Sequence, residues 1–387
     1  MPVRAIKAGD TSKIALAITG RCLEMELSAV NQSGLTRAGI AIVLGMGMSA
    51  MASAQNVPTD LLDLSIEELF DANVISDSER AAASKRWHIS YTYAVSDYDE
   101  YYIGTRSVSY DDVLFTPGAE PRTENNYPVV PTEIKQEVHA LRVAYDLSES
   151  LTLRAQLPMV KQSTDHISIV PGYDAFNISS DGVGDLAVVL DRTIKQSLNS
   201  VWKAGLGVSV PTGSIDEEGD TPRAPGNQQL PYTMQLGSGT WDFPLFLSFR
   251  KYEARWDWGW DATFTVRTGE NDRDYRLGNK ASLGGWMMWN GWSDIKPGIR
   301  LDYRWRDDID GEDLSLRVPI PAFPYPAPVT NPNAFGGEQV DLMAFVRIPF
   351  ADQWYAQVSY ARPLFLDLNG PQSSEKYHFS FEVGTSF

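Results

Sequence analysis

From Trp87 onward the chain repeats one pattern: apolar and polar residues alternate with period two over about ten positions, break off, and resume. Side chains of a strand point alternately to opposite faces, so each run describes a strand with one apolar and one polar face. Twelve such runs can be placed, at about 87–96, 136–147, 151–162, 183–194, 200–211, 239–250, 254–267, 279–290, 294–306, 338–349, 353–364 and 376–387. The gaps between them alternate short and long. Ser148 to Ser150, Lys195 to Asn199, Lys251 to Glu253, Gly291 to Ser293 and Phe350 to Gln353 are short; 97–135, 163–182, 212–238, 268–278, 307–337 and 365–375 are long. Few folds tolerate this arrangement. It predicts an all-β, antiparallel up-and-down β-barrel of about 12 strands that crosses a membrane, with tight turns at one end and long loops at the other.

The partition of charge gives the barrel an inside. Trp256, Trp258, Trp260, Ala262, Phe264 and Val266 share one face of a run, and Asp257, Asp261, Thr263 and Arg267 the other. Ile295, Ile299, Leu301, Tyr303 and Trp305 likewise alternate with Lys296, Arg300, Asp302, Arg304 and Arg306. A charge facing lipid costs about 2–4 kcal/mol at the bilayer midplane, so the charged set is expected to line the lumen. The lumen-lining candidates are Arg142, Arg154, Asp185, Asp242, Arg250, Asp257, Asp261, Arg267, Arg300, Asp302, Arg304, Asp341, Arg347 and Glu382. Both signs occur, which favours cross-strand pairing over a single-sign selectivity ring. Trp87, Trp202, Trp256, Trp289, Trp292 and Trp354 fall beside short turns, and Trp241 and Trp305 beside long loops, as two interfacial girdles require.

The mean hydropathy of −0.25 excludes little, because only alternate residues of a barrel face lipid. No run of apolar residues is long enough for a spanning helix. Residues 55–387 carry 28 basic and 47 acidic side chains, a formal charge of −19, which argues against a nucleic-acid partner. Arg37, the apolar run Ala38 to Met51 and the small residues Ala52 and Ala54 read as a secretory signal cleaved after Ala54. The 36 residues ahead of that run are long for its positive flank, and Met25 is an alternative start. Cys22, the one cysteine, lies in the segment expected to be removed. Residues 55–85 are expected to form a periplasmic helix and linker. Within them Leu62, Ile66, Leu69 and Phe70 share a helical face, with Asp63, Glu67, Glu68 and Asp71 opposite.

Three resemblances add to this reading. The run from Lys376 to Phe387 places Tyr377, Phe379, Phe381, Val383, Thr385 and Phe387 on one face. It resembles the C-terminal insertion signal of bacterial outer-membrane barrels, which implies the outer membrane, its lipid and lipopolysaccharide, and the barrel-insertion machinery as partners. Leu64-Ser65-Ile66-Glu67-Glu68-Leu69 is similar to a stretch near the mature N-terminus of TonB-dependent receptors. Asp181-Gly-Val-Gly-Asp185, Gly207-Val-Ser-Val-Pro-Thr-Gly213 and Gly237-Ser-Gly-Thr-Trp-Asp242 resemble the outer-membrane transporter family associated with the meta-pathway of phenol degradation. That resemblance implies a barrel passing small hydrophobic or aromatic solutes, and it carries over no catalytic or binding residue.

A channel for passive passage of small solutes is therefore expected, narrowed by infolded loops 97–135 and 307–337, the Pro-rich stretch Pro319 to Pro332 being extended and stiff. Two alternatives use the same fold. One is a lipid hydrolase, from the His-X-Ser pairs His88/Ser90, His166/Ser168 and His378/Ser380, the last with Glu382 on its face. The other is a structural or adhesive barrel acting through its loops. Four scattered histidines and no HExxH offer no compact metal set, and no cofactor is expected.

Overall fold

The computed structural model describes residues 86–387, apart from 293, 294 and 352. The signal segment with Ala52 and Ala54, and the expected helix with its Leu-Ser-Ile-Glu-Glu-Leu stretch, lie outside the described residues. The wall begins with β1 (Trp87–Gly104), β2 (Arg106–Val108), β3 (Val129–Ser148), β4 (Leu151–Ser168), β5 (Ala175–Val183), β6 (Leu186–Gln196) and β7 (Ser200–Val210). After the small hairpin β8 (Glu218–Asp220) and β9 (Asn227–Gln229) come β10 (Trp241–Tyr252), β11 (Trp256–Thr268), β12 (Tyr275–Arg276) and β13 (Lys280–Trp289). β14 (Lys296–Arg306), β15 (Asp310–Gly311), β16 (Gly337–Ala351) and β17 (Trp354–Ser386) complete the chain. A single helical turn, α1 (Tyr110–Val113), is held by a capping box at Ser109 and Asp112. No helix among the described residues is long and apolar enough to cross a membrane.

The main sheet runs β17-β16-β14-β13-β11-β10-β7-β6-β4-β3-β1, and β1 pairs back onto β17. Every pairing around this ring is antiparallel. Strand sense therefore alternates from β1 to β16, which leaves those two opposed. A single straight strand cannot be antiparallel to both. β17 is thus two barrel strands: 354–368 pairs with β16, and 372–386 pairs with β1. The ring is a closed barrel of twelve strands with no free edge, which removes the unpaired backbone that a bilayer does not tolerate.

Its faces are inverted relative to a water-soluble protein. Leu141, Leu157, Leu206, Leu245, Phe264, Leu283, Leu301, Leu342 and Val358 lie exposed on the outside, while Gln156, Arg142, Asp257, Arg300, Asp341 and Arg347 are buried inside. Phe381 and Phe387 are exposed on the outer face, and Phe379 shares their side. Trp87, Trp256, Trp292 and Trp354 are exposed at the turn end, and Trp241 at the loop end.

The wall is lopsided. β1, β3 and β4 have 18, 20 and 18 residues, but β7, β13 and β14 have 11, 10 and 11. Nine to eleven tilted residues cross a bilayer, so the first group continues well beyond it. Much of what the sequence presents as long gaps is consequently strand: 97–104, 129–135, 163–168, 175–182 and most of 365–375. In these stretches both faces meet water or protein, and the apolar alternation is no longer required.

Candidate channel and its lid

Loops from the short side lean on the tall side. Tyr232, Tyr275, Leu277, Ile309, Leu316 and Phe335, drawn from the loops after β7, β11 and β14, form one buried cluster. β12 pairs with β15 to join two of these loops. Farther along, Ala327 and Val329 pack on Val129 at the top of β3, with Val170 and Phe176 against them. Val129 N donates to Pro326 O at 3.1 Å, and Asn331 Nδ2 donates to Tyr127 Oη at 2.9 Å. A loop rooted on β14 and β16 thus reaches β3, four barrel strands away, and the loops close over the outer end as a lid. Asp313 N donates to Tyr232 Oη at 2.9 Å, and burial pushes the Tyr232 and Tyr275 phenols up, so both remain neutral. The Pro-rich stretch is not extended throughout. It turns tightly at Pro328–Thr330 and Pro332–Ala334, and residues 326–330 are buried.

Beneath the lid the lumen carries a ladder of charge, densest from β11 to β17 and continued on β3, β4, β6 and β10. Arg300 donates from Nη1 to Asp261 Oδ1 at 2.9 Å and from Nε to Asp302 Oδ1 and Oδ2 at 2.7 and 2.8 Å. Asp261 lies two strands away, and Arg300 reaches it across Gly284, where a Cβ would stand only 1.9 Å from Nη2. Arg304 Nε donates to Asp341 Oδ2 at 2.8 Å, and Gln339 Nε2 donates to the other oxygen at 2.5 Å. Arg267 Nε is 3.3 Å from Asp242 Oδ2, and Thr240 Oγ1 donates to Asp242 Oδ1 at 2.7 Å. Arg142 Nη1 is 3.4 Å from Glu382 Oε2 and donates to Ser90 Oγ at 3.2 Å. Arg154 Nη2 donates to Asp191 Oδ1 at 2.9 Å. Arg250 and Asp257 are also buried in the interior. Side chains this enclosed fill space as well as carry charge, so the lumen is narrow at their level.

The strands from β1 to β10 present another surface. Ala94, Val138 and Ala140 are buried together with Val160 against them, and Ala187 and Val189 pack on Phe246. Pro158 and Pro244 share the inward side, Pro244 Cγ standing 3.1 Å from where a Cβ on Gly207 would lie. These residues lie within the bilayer-crossing part of the wall, on the face opposite the lipid. The charge patterning singles out the ion pairs all round the lumen and not the small and apolar side chains set among them from β1 to β10. Their signal is present in the sequence as runs such as Leu186 to Leu190, which are apolar or small on both faces rather than alternating.

Asp185 departs from the expected lumen row. It sits in the break between β5 and β6, where Oδ1 accepts from Gly213 N at 2.9 Å and Oδ2 from Ser238 N at 2.8 Å and Ser238 Oγ at 2.9 Å. The three fragments quoted for the phenol-pathway resemblance meet at this carboxylate. A Cβ on Gly237 would lie 2.6 Å from Asp185 Oδ1, and one on Gly213 2.6 Å from Leu236 O, so neither position admits a side chain without movement. Their shared role is to root the lid loops on the wall.

None of the three His-X-Ser pairs joins its own members. His378 Nδ1 lies 2.9 Å from Ser96 Oγ and 3.6 Å from Glu375 Oε1, while Ser380 is buried without it. His166 stacks on Phe176 at 4.5 Å and bonds Thr164 O. His88 instead bridges Ser386 Oγ at 2.8 Å through Nδ1 and Asp146 Oδ2 at 2.9 Å through Nε2, at the turn end where the last strand meets the first. Among the described residues no group of three or more His, Cys, Asp or Glu side chains is arranged to hold a metal ion.

No family model matches the sequence, and no curated protein sequence does. Solved structures do. The COG4313 outer membrane channel from Pseudomonas putida F1 aligns with a TM-score of 0.52 at 16% identity, over 78% of this chain and 96% of its own. The TodX monoaromatic hydrocarbon channel aligns over 79% of this chain and 91% of its own, at 11% identity and a TM-score of 0.43. At such identities the first likeness establishes the fold, that of an outer-membrane barrel.

Proposed function

We propose that this chain is a channel of the bacterial outer membrane for the passive passage of small apolar or aromatic solutes. The observation that carries the reading is the set of inward apolar side chains Ala94, Val138, Ala140, Val160, Val189 and Phe246, interspersed with the ion pairs Arg142–Glu382 and Arg154–Asp191. A barrel that only excluded solutes could fill these positions with polar pairs too. Apolar side chains at inward positions let an apolar solute leave water without meeting unpaired polar groups, at about 25 cal/mol per Å2 of its surface. The fold shared with the Pseudomonas putida outer membrane channel agrees with this, as does the resemblance of the Asp185 fragments to the phenol-pathway transporter family. Removal of residues 1–54 as a signal, a periplasmic place for the segment before Arg86, insertion through the terminal aromatic run and contact with lipopolysaccharide belong to the same proposal. Reconstitution of the full-length chain in a planar bilayer tests it. Current steps that an aromatic solute blocks in a concentration-dependent way are expected, and a silent bilayer would overturn the reading.

One arrangement favours a second reading. Ser386, His88 and Asp146 form a hydrogen-bonded chain of the kind that activates a serine nucleophile. A fluorophosphonate that labels the wild type but not Ser386→Ala would establish a hydrolase at the rim. Absence of label leaves the chain of bonds as a tie between the last, first and third strands.

A further inference from the structure

Arg300 and Arg347 are two of the largest fully buried side chains of the barrel, and they are treated differently. Arg300 is enclosed by two carboxylates. Arg347 is not. Among the described residues its Nε and Nη1 have no hydrogen-bond partner, which leaves one open donor on each of its two forks. Its carboxylate neighbour is Glu382, 3.8 Å from Nη2. That carboxylate already faces Arg142 at 3.4 Å and accepts from Thr92 Oγ1 at 3.2 Å and Tyr355 Oη at 2.5 Å.

Directly opposite Arg347 in the β14–β16 register stands Lys296, also buried. Like charges directly opposed across two strands repel, and a buried guanidinium with open donors is costly. On the other flank the register places Gln357, whose Oε1 makes no hydrogen bond either. Lys296, Arg347 and Gln357 thus form one inward row across β14, β16 and β17, near the turn end of the lumen.

The surroundings of the row are aromatic. The Arg347 guanidinium lies 4.1 Å from the centroid of the Tyr355 ring. Phe345, two positions along the same face of β16, packs with Trp286 and Met288. Phe345 lies over Gly298, where a Cβ would come within 2.2 Å of its ring, and Trp286 similarly covers Gly259 at 3.0 Å. The rings lie flat because the strands beside them offer glycine.

We propose that the Lys296–Arg347–Gln357 row is a binding station for an organic carboxylate with an apolar or aromatic body. The carboxylate would take the open donors of Arg347 beside the Lys296 ammonium. The body would lie on Phe345 and Trp286, and Gln357 Oε1 would accept from a water or a hydroxyl. This names a solute class for the channel reading and rests on it for its biological sense, but binding is measurable without flux.

The test is equilibrium binding of benzoate to the purified full-length chain in detergent, followed through tryptophan fluorescence, with benzyl alcohol as the uncharged analogue and chloride as competitor. Saturable benzoate binding is expected, weaker by at least about tenfold for benzyl alcohol and in Arg347→Gln, the loss of one charge-assisted hydrogen bond. Lys296→Met, which keeps the fork, should weaken benzoate less. No saturable binding to the wild type, equal binding of benzyl alcohol, an unchanged affinity in both variants, or displacement of benzoate by equimolar chloride would each overturn the assignment. A chain that binds benzoate yet carries no current retains the station and loses the channel; one that conducts without binding does the reverse.

Discussion

The two sides of this lumen solve the same problem by opposite means. From β11 to β17 the interior is filled by charges closed on each other, as in Asp261–Arg300–Asp302 and Arg304–Asp341. From β1 to β10 small and apolar side chains, such as Ala140, Val160 and Val189, stand between fewer pairs, such as Arg142–Glu382 and Arg154–Asp191. The charged side is rigid because each member depends on another. The density of ion pairs thus falls from one side of the ring to the other.

The comparison can be broken most severely at Arg300. Arg300→Met would strand Asp261 and Asp302 in the interior and should cost about 3–5 kcal/mol of stability, read by urea unfolding in detergent. Val189→Ala, across the lumen, should cost only about 1 kcal/mol in the same assay, a deleted methyl pair with no stranded charge. Equal costs would mean that the two walls do not differ as described. On the lipid side, Leu301→Arg should cost about 2–4 kcal/mol, and a negligible cost would show that Leu301 does not face the hydrocarbon. Val189→Asp, a carboxylate at a fully buried site, should be less stable than the wild type and, in barrel that has folded, lower aromatic flux by about tenfold, corresponding to a penalty of about 1.4 kcal/mol. The smallest effect is expected in the lid. Phe335→Ala should loosen the cluster with Tyr232 and Tyr275, raising single-channel current modestly while global unfolding is little changed.

How far the sequence discloses this molecule depends on what each segment touches. Strands such as β10, β11 and β14 face lipid on one side and the lumen on the other, so Trp256 to Val266 and Ile299 to Trp305 had to alternate and are readable. Above the membrane that requirement lapses. Ser163, Thr164, Asp165 and His166 are polar on both faces and read as loop, yet they pair in register with β3 and β5. Asn369-Gly370-Pro371 reads as part of a long loop, but it is only a turn between two paired halves of β17. The inward direction of Arg300 follows from alternation alone. Its pairing with Asp261 does not, because that depends on register across an intervening strand and on the space left by Gly284. The role of Asp185 was hidden for the same reason: the three fragments it joins are apart in sequence and meet only when β5, β6 and the loop after β7 are in place.

The most direct test of the whole account is influx of an uncharged aromatic solute into proteoliposomes carrying lipopolysaccharide in the outer leaflet, a barrier that such solutes cross slowly unaided. The wild-type chain should accelerate entry over protein-free vesicles, and Val189→Asp should remove most of the acceleration. Entry at the protein-free rate with correctly folded wild-type barrel in the membrane would contradict the claim that the apolar wall is a path.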